Sequence, residues 1–372
     1  MNYESEEVCY INYSSKTPLI LEGTILTAQN IWKDKDYWIQ KVFEHYRTVG
    51  FPYPEMTKSE LFESLGKLKG KDPKEVLNDK GEIKNSGSLG LDICRSINPS
   101  YWDCKGPKTP SIMSAFHDDK LLLKVLKNRM GYASSKTDWE ERGKWYKAGA
   151  HYLFDMSDDM LIQGFRSSAI GFSPSNFKPM VAKFLISRYC EGNKVLDPSI
   201  GWSARYLAAN SLGKVYYGID PAAVTANTAE LAHKLGDTKS RFYRGGSEES
   251  RMYQTIPEVD YVIACPPYLD LEIYSGGSQS IDSYHQYDEW LSKYWTPTVS
   301  NCTSKLRSKG RFTLIMIESY QGKELLKDMT SIMENLGLRE LERLPYQTSR
   351  SHLTKKAGNT KNNEVCVTME KL

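Results

Sequence analysis

The chain has 372 residues, 26% of them charged and 40% hydrophobic, with a formal net charge of +3. That length buries a sizeable core and suits two domains or one large domain with an extension. The composition excludes a disordered or fibrous chain, and a charge this near neutrality carries no global signature of nucleic-acid binding, though a local basic patch would suffice for it. No uninterrupted apolar run is long enough to span a bilayer, and the acidic start MNYESEEVCYINYSSKTPL lacks the basic-then-apolar order of a secretion signal. A cytoplasmic protein with no membrane partner is expected.

Residues 1 to about 110 are irregular, polar and rich in aromatics. KDYWIQKVFEHYRTVG (35–50) has helical apolar spacing, stops at Gly50 and runs into FPYP; TKSELFESLGKLKG (57–70) is a second short helix behind a Thr cap. NDKGEIKNSGSLG (78–90) is loop, and CKGPKTPS (104–111) is a breakpoint. SAFHDDKLLLKVLKNRMGY (114–132) carries a strong helical stripe, continued by charged helix to about Ala150. GFSPSNFKPMVAKFLISRYC (171–190) starts extended and turns helical after Pro179.

From Gly192 the texture changes to strand and helix in alternation. Strands are expected at NKVLDPSIG (193–201), KVYYGID (214–220), SRFYRGGSEE (240–249), DYVIA (260–264), GRFTLIMIE (310–318), and near 338–346 and 363–370. Helices fill 202–213, 222–236, 289–310 and 322–336. Such alternation means right-handed βαβ crossovers and a mostly parallel, α/β sheet.

Seven scattered cysteines, none in a CxxC pair, argue against a disulfide framework and against zinc sites of the usual spacing. The six histidines form no HExxH, and there is no GxxxxGK[ST], so no metal and no P-loop are expected. The unusual residues stand instead at strand ends: DPSIGW after the first strand, Asp220 after the second, GGSEE after the third, CPPY after the fourth. Ligands of open parallel sheets bind at those ends. One Gly in the first loop supports no pyrophosphate cradle, whereas an acid after the second strand suits ribose hydroxyls. A nucleoside-containing ligand without a pyrophosphate follows.

VLDPSIGWSARYLAA, YYGIDP and VIACPPYLDLEIYS, in this order, resemble motifs I, II and IV of S-adenosylmethionine-dependent DNA amino methyltransferases of the adenine-N6/cytosine-N4 type. The chain is similar in particular to phage-type DNA methylase-like proteins with a DPS-x-GWG-x-R loop and an SPPY-x-x-x-x-YS segment. SPSNFKP (173–179) stands where such enzymes carry motif X. The resemblance is strongest over about 170–372 and implies a Rossmann-like class I methyltransferase domain, a seven-stranded mostly parallel sheet, over 166–372. Residues 1–165 would be a mainly helical, irregular extension serving substrate recognition.

Carried over by position, the resemblance implies S-adenosyl-L-methionine as cofactor. Asp197, Ser199, Gly201 and adjacent backbone would line its methionine end, with Asn176, Phe177 and Lys178 closing over it; the other reading of Asp197 is that it only holds the first loop in shape. Asp220 would hold the ribose hydroxyls, and Ser247 and Glu248 would meet the adenine edge. Tyr268 would stack on a flipped base, and Cys265 and the Pro266 carbonyl would bind its exocyclic amino group, with Pro267 stiffening the turn. Acceptors aimed at that group free its delocalised lone pair, and orientation toward a sulfonium methyl lowers the barrier further. The expected partner is DNA, with RNA as the alternative; a second alternative is a catalytically altered methyltransferase-fold protein that binds nucleic acid or modifies an unusual base.

Two departures stand out. Ser203 replaces a Gly of the family loop, which would narrow the cofactor's space. Cys265 replaces Asp, Asn or Ser, and a thiol is a poor acceptor. It reads as a tolerated Ser substitute, as the mark of an unusual methyl acceptor, or as a nucleophile adding to a pyrimidine ring. Arg350, Lys355, Lys356 and Lys361 lie in YQTSRSHLTKKAGNTKNNE, a stretch with no acid before Glu364, and read as phosphate contacts or as a solvated hairpin loop. YSGGSQSIDSYHQYDEW (274–290) reads as a lid ordered by substrate.

Overall fold

A computed structural model of the chain describes residues 17–84, 87–133, 155–275, 279–347 and 364–372. Two compact units form, each from two stretches: Met1–Thr57 with Thr109–Ser173, and Lys58–Lys108 with Pro174–Leu372. This differs from the division expected at residue 165, because Lys58–Lys108 belongs with the sheet.

The first unit is helical over Ala28–Lys33, Lys35–Val49, Ile112–His117, Asp119–Ala133 and Asp158–Ser167. Thr27, Asp34, Ser111 and Ser157 cap four of these helices by accepting a backbone N–H of the first turn. Its buried polar links include Tyr46 Oη donating to Asp158 Oδ1 at 2.8 Å and Ala28 N–H donating to Asp155 Oδ1 at 2.9 Å.

The second unit is built on seven strands: β1 (Lys194–Asp197), β2 (Val215–Asp220), β3 (Arg241–Arg244), β4 (Val259–Ala264), β5 (Leu306–Ile317), β6 (Leu338–Tyr346) and β7 (Glu364–Lys371). Their order across the sheet is β3-β2-β1-β4-β5-β7-β6. Pairings from β3 to β5 are parallel, and β7 runs antiparallel to both β5 and β6. The mostly parallel sheet expected from the alternation is present, in the seven-stranded Rossmann-like form that the resemblance implies. The central strand β4 has five of its six residues buried, as a strand covered on both faces requires.

Several boundaries differ from expectation, and β1 and β3 end at Asp197 and Arg244, short of 201 and 249. β5 begins at Leu306 rather than at Gly310, and the helix expected over 289–310 is broken. It becomes Tyr287–Trp290, a wide turn at Leu291–Trp295, and Thr296–Lys305. Trp290 and Trp295 are both fully buried there, and Trp295 Nε1 reaches the Met329 carbonyl at 3.2 Å. Packing of two large rings overrides the regular turn.

Lys58–Lys108 is tied to the sheet by one buried amine. Lys183 lies on the helix Pro179–Tyr189. Its Nζ donates to the carbonyls of Leu68 (2.7 Å), Lys69 (2.9 Å) and Lys71 (2.7 Å). Those carbonyls end the helix Lys58–Gly70, where the last turn leaves acceptors unpaired and favours positive charge. The same segment adds Ile83 N–H to the Pro345 carbonyl (2.9 Å) and accepts from Gln347 N–H (2.8 Å) beside β6.

Lys183→Met removes the three donors while keeping most of the side-chain volume. It should lower the stability of the chain by about 2 kcal/mol, since buried carbonyls lose their partners while a buried charge is also removed. Chemical denaturation followed by circular dichroism measures this, and an unchanged midpoint would mean that the carbonyls find other donors.

Candidate active site at the carboxyl ends of the strands

A cavity of about 690 Å³ opens in the second unit where β1, β2, β3 and β4 end. The chain leaves β1 toward β2 on one side and meets β4 on the other, so the cavity sits at the switch point of the sheet. Its volume is within the range of small-molecule sites.

The loop after β1 is held from below. Asp197 is fully buried, and its Oδ2 accepts from Arg205 Nε (2.6 Å) and Tyr216 Oη (2.5 Å). Its Oδ1 accepts from Ser199 N–H (2.9 Å), and Arg205 Nη2 also caps the Ser199 carbonyl. Asp197 therefore shapes the loop from beneath and does not face the cavity, which is the loop-holding reading of it rather than the cofactor-lining one. Gly201 turns the loop with φ of 57°, and Ser199 Oγ donates to the Cys265 carbonyl (3.2 Å), joining this loop to the turn after β4.

Ser203 adopts a left-handed backbone (φ 67°), the conformation for which Gly is the natural residue. Its hydroxyl points away from the cavity, bonding Thr228 Oγ1 (2.7 Å) and accepting from Asn98 Nδ2 (3.2 Å). The expectation that Ser203 narrows the site is thus corrected: the site keeps its width, and two buried hydrogen bonds offset the cost of the backbone. Gly218 has a local reason of another kind. A Cβ there would lie 2.6 Å from Ile200 Cγ1, so the loop could not settle on β2.

Asp220 ends β2 at the cavity wall. It accepts Ala222 N–H (3.0 Å) and Gly201 N–H (3.2 Å), one on each oxygen, leaving acceptor capacity on both. Burial raises its pKa to about 6 against these two bonds. Beyond β3, Ser247 and Glu248 reach the wall. Ser247 Oγ is shared with Thr298 Oγ1 (3.0 Å), and Glu248 Oε1 accepts from Tyr284 Oη (3.2 Å). Asn176 and Phe177 approach from the segment before the helix Pro179–Tyr189, with the Arg205 guanidinium 5.4 Å from the Phe177 ring centre. Asn176 is 6% exposed, and its Nδ2 has no hydrogen-bond partner among the described residues. A buried, unpaired donor on a cavity wall is costly unless a ligand acceptor meets it.

Cys265, Pro266, Pro267 and Tyr268 form the far wall. Cys265 Sγ and Tyr268 Oη are 3.7 Å apart. Burial pushes the thiol up to about 12 despite the nearby Arg205, so it stays protonated at neutral pH. That removes the thiolate which a nucleophile would need. Opposite the turn, Glu364 enters the wall from the first position of β7.

Of the residues expected in the site, Asn176, Phe177, Ser199, Gly201, Asp220, Ser247, Glu248, Cys265, Pro266, Pro267 and Tyr268 line one cavity. Asp197 lies beneath it, and Lys178, which precedes the helix at Pro179, is not in its wall. Arg350, Lys355, Lys356 and Lys361 fall outside the described residues. Within 274–290, Gln279 is buried and bridges the loop, accepting Tyr274 N–H (3.0 Å) and donating to the Glu272 carbonyl (2.8 Å). The wall residues that were not anticipated include Trp202, Arg205, Glu272 and Glu364. The first two stand inside DPSIGWSAR, and Glu364 is marked only as the first acid after a long basic stretch.

No protein-family model and no curated protein matches the chain. Among solved structures, it is similar to TrmN from Thermus thermophilus at 19% identity, over 52% of this chain and 49% of that one, with a TM-score of 0.37. The chain thus spans about half the length of that protein. It is also similar to geranyl diphosphate methyltransferase in complex with SAM (12% identity, 52% and 85% of the two chains, TM-score 0.38). A third is the glycopeptide N-methyltransferase MtfA complexed with S-adenosyl-L-methionine (10% identity, 54% and 90%, TM-score 0.37).

Two wall carboxyls give the chain a distinctive pH response. Burial raises Glu364 to about 7 and Asp220 to about 6. A carboxyl raised above its unfolded value stabilises the fold fully only below that unfolded value, and the contribution is lost as pH rises through the folded one. From about pH 4.5 to 7 these two groups therefore make stability fall with rising pH. Glu364→Gln should flatten the upper part of that fall and raise the melting temperature at pH 8 relative to the unaltered chain. Melting curves across pH 5–8 decide it; parallel curves for the two proteins would mean that Glu364 is not raised.

Proposed function

We propose that the chain transfers a methyl group from S-adenosyl-L-methionine to an exocyclic amino group of a base in DNA, adenine N6 or cytosine N4, with the base flipped into the cavity. The observation that carries this reading is the convergence of Asn176, Asp220 and the Pro266-Pro267-Tyr268 turn on one cavity at the strand ends. The motif order in the sequence and the seven-stranded, mostly parallel sheet support it.

The donor set fits the cofactor. The unpaired Asn176 amide suits a carboxylate, and Asp220 retains lone pairs for a vicinal diol. Glu248 and Ser247 stand farther along the same wall for the edge of a heterocycle. When bound, S-adenosyl-L-methionine supplies an electrophilic methyl group on sulfur. The chain's own residues present the acceptor. Pro266 and Pro267 hold the turn stiff and carry no N–H to compete for its carbonyls. Tyr268 offers a ring on which an unstacked base recovers stacking, worth about 1–3 kcal/mol. A base in a duplex cannot reach such a cavity, so extrusion or a single strand is required. The protonated Cys265 thiol is a spectator to bond making, which favours the Ser-substitute reading over carbon methylation.

Transfer of labelled methyl groups to DNA and RNA, followed by nucleoside mass spectrometry, tests the reading and names base and atom. Asp220→Ala should raise the KM for the cofactor by about tenfold to a hundredfold, as for lost hydrogen bonds to a charged group. Tyr268→Ala should lower kcat/KM for the nucleic acid by about tenfold or more, while Cys265→Ser stays near the unaltered rate. Full activity in both the Asp220 and Tyr268 variants would place the site elsewhere. Methylated RNA and untouched DNA would move the substrate to RNA.

A further inference from the structure

In the proposed chemistry the amino group needs an acceptor at position 265, and a protonated thiol serves poorly. A carboxylate reaches the same place from another strand. Because β7 runs antiparallel to β5, its first residue lies level with the last residue of β5: Glu364 pairs with Ile317, and across β6 with Tyr346. Glu364 therefore emerges where the parallel strands end. It lines the cavity with Cys265 and Tyr268.

We propose that Glu364 is the acceptor for the exocyclic amino group of the substrate base, supplying from β7 what Cys265 cannot. This inference rests on the methyl-transfer reading. Of the other wall carboxyls, Glu272 stands closest in the chain to the turn, but its orientation is already pinned, with Oε1 accepting Ser175 N–H (3.1 Å) and Oε2 accepting Tyr274 Oη (2.7 Å). Glu364 lines the cavity, and no ion pair with another described residue holds it. As the amino nitrogen forms its bond to the methyl carbon, the carbon–sulfur bond breaks with its electron pair left on sulfur. The surplus proton on nitrogen passes to the Glu364 carboxylate and then to water.

The groups facing this carboxyl are Tyr268 and Cys265 after β4, Glu272 on the following loop, Tyr346 at the end of β6 and Cys366 on β7. Burial raises it, the Tyr268 hydroxyl lowers it and Glu272 raises it, which leaves it titrating at about 7. The accepting form therefore grows as pH rises through neutrality.

The test is single-turnover methyl transfer from pH 5.5 to 9, with S-adenosylhomocysteine binding by calorimetry as the check on folding. The unaltered chain should show a rate limb rising through about pH 7. Glu364→Gln should lose about a hundredfold in rate and lose that limb, with S-adenosylhomocysteine affinity kept within about twofold, since the cofactor residues are untouched. Adding Cys265→Asp to Glu364→Gln should restore part of the rate. Wild-type turnover with an unchanged limb in Glu364→Gln overturns the inference while leaving methyl transfer intact.

If the unaltered chain methylates neither DNA nor RNA, the methyl-transfer reading fails by itself. The acceptor role is then read by saturation-transfer NMR with adenosine and cytidine against their deaminated counterparts inosine and uridine. A preference for the amino-bearing nucleosides that Glu364→Gln abolishes supports it. No preference, or one that survives the substitution, overturns it.

Discussion

Everything at the cavity depends on one buried ion pair. Asp197 and Arg205 face each other at 2.6 Å with almost no exposure on either side chain. Between them they hold the first loop at the Ser199 N–H and the Ser199 carbonyl, and Asp197 ties it to the Tyr216 hydroxyl of β2. Charges so deep are tolerable only when every lone pair and proton is used, and removing one partner of such a pair typically costs about 3–5 kcal/mol. The attraction raises Arg205 and the burial raises Tyr216, so both keep the protonation that the arrangement needs. The loop that Ser199 anchors to the Cys265 carbonyl inherits this rigidity, and so does the turn after β4.

The same pair explains why a site residue can be read in the right place and with the wrong duty. An acid after the first strand looks, in sequence, like one that faces a ligand. Only the backbone shows whether its side chain points up into the cavity or down into the core, and at Asp197 it points down. Asp220, one strand over, points up. Periodicity cannot separate these cases, because both acids follow buried runs and both precede turns.

Much of the fold was legible. Alternating strands and helices, with small residues at each strand end, are consequences of local chemistry, and so the parallel half of the sheet and most of its cavity wall could be read from residue type and order. What could not be read depends on contacts distant in sequence. Lys183 gives no sign in its own helix that it completes the end of Lys58–Gly70, so Lys58–Lys108 looks like part of the N-terminal region. Ser203 looks like a loss of space because sequence shows the missing Gly but not Thr228 and Asn98 receiving its hydroxyl. Glu364 was hidden because its position beside Cys265 follows from strand direction, which no residue near it announces.

Strand direction has a consequence for how the chain is made. β7 is inserted between β5 and β6, and nothing else among the described residues pairs with the outer edge of β5. On the ribosome, β5 and β6 emerge well before residues 364–371. Until those residues arrive, the apolar run Phe312–Ile317 has an open edge and the cavity lacks one side. Closure of the active site and protection of that edge are then a single late event. A chain stalled short of residue 364 would have nearly all its motifs, no finished site, and a strand edge that invites association.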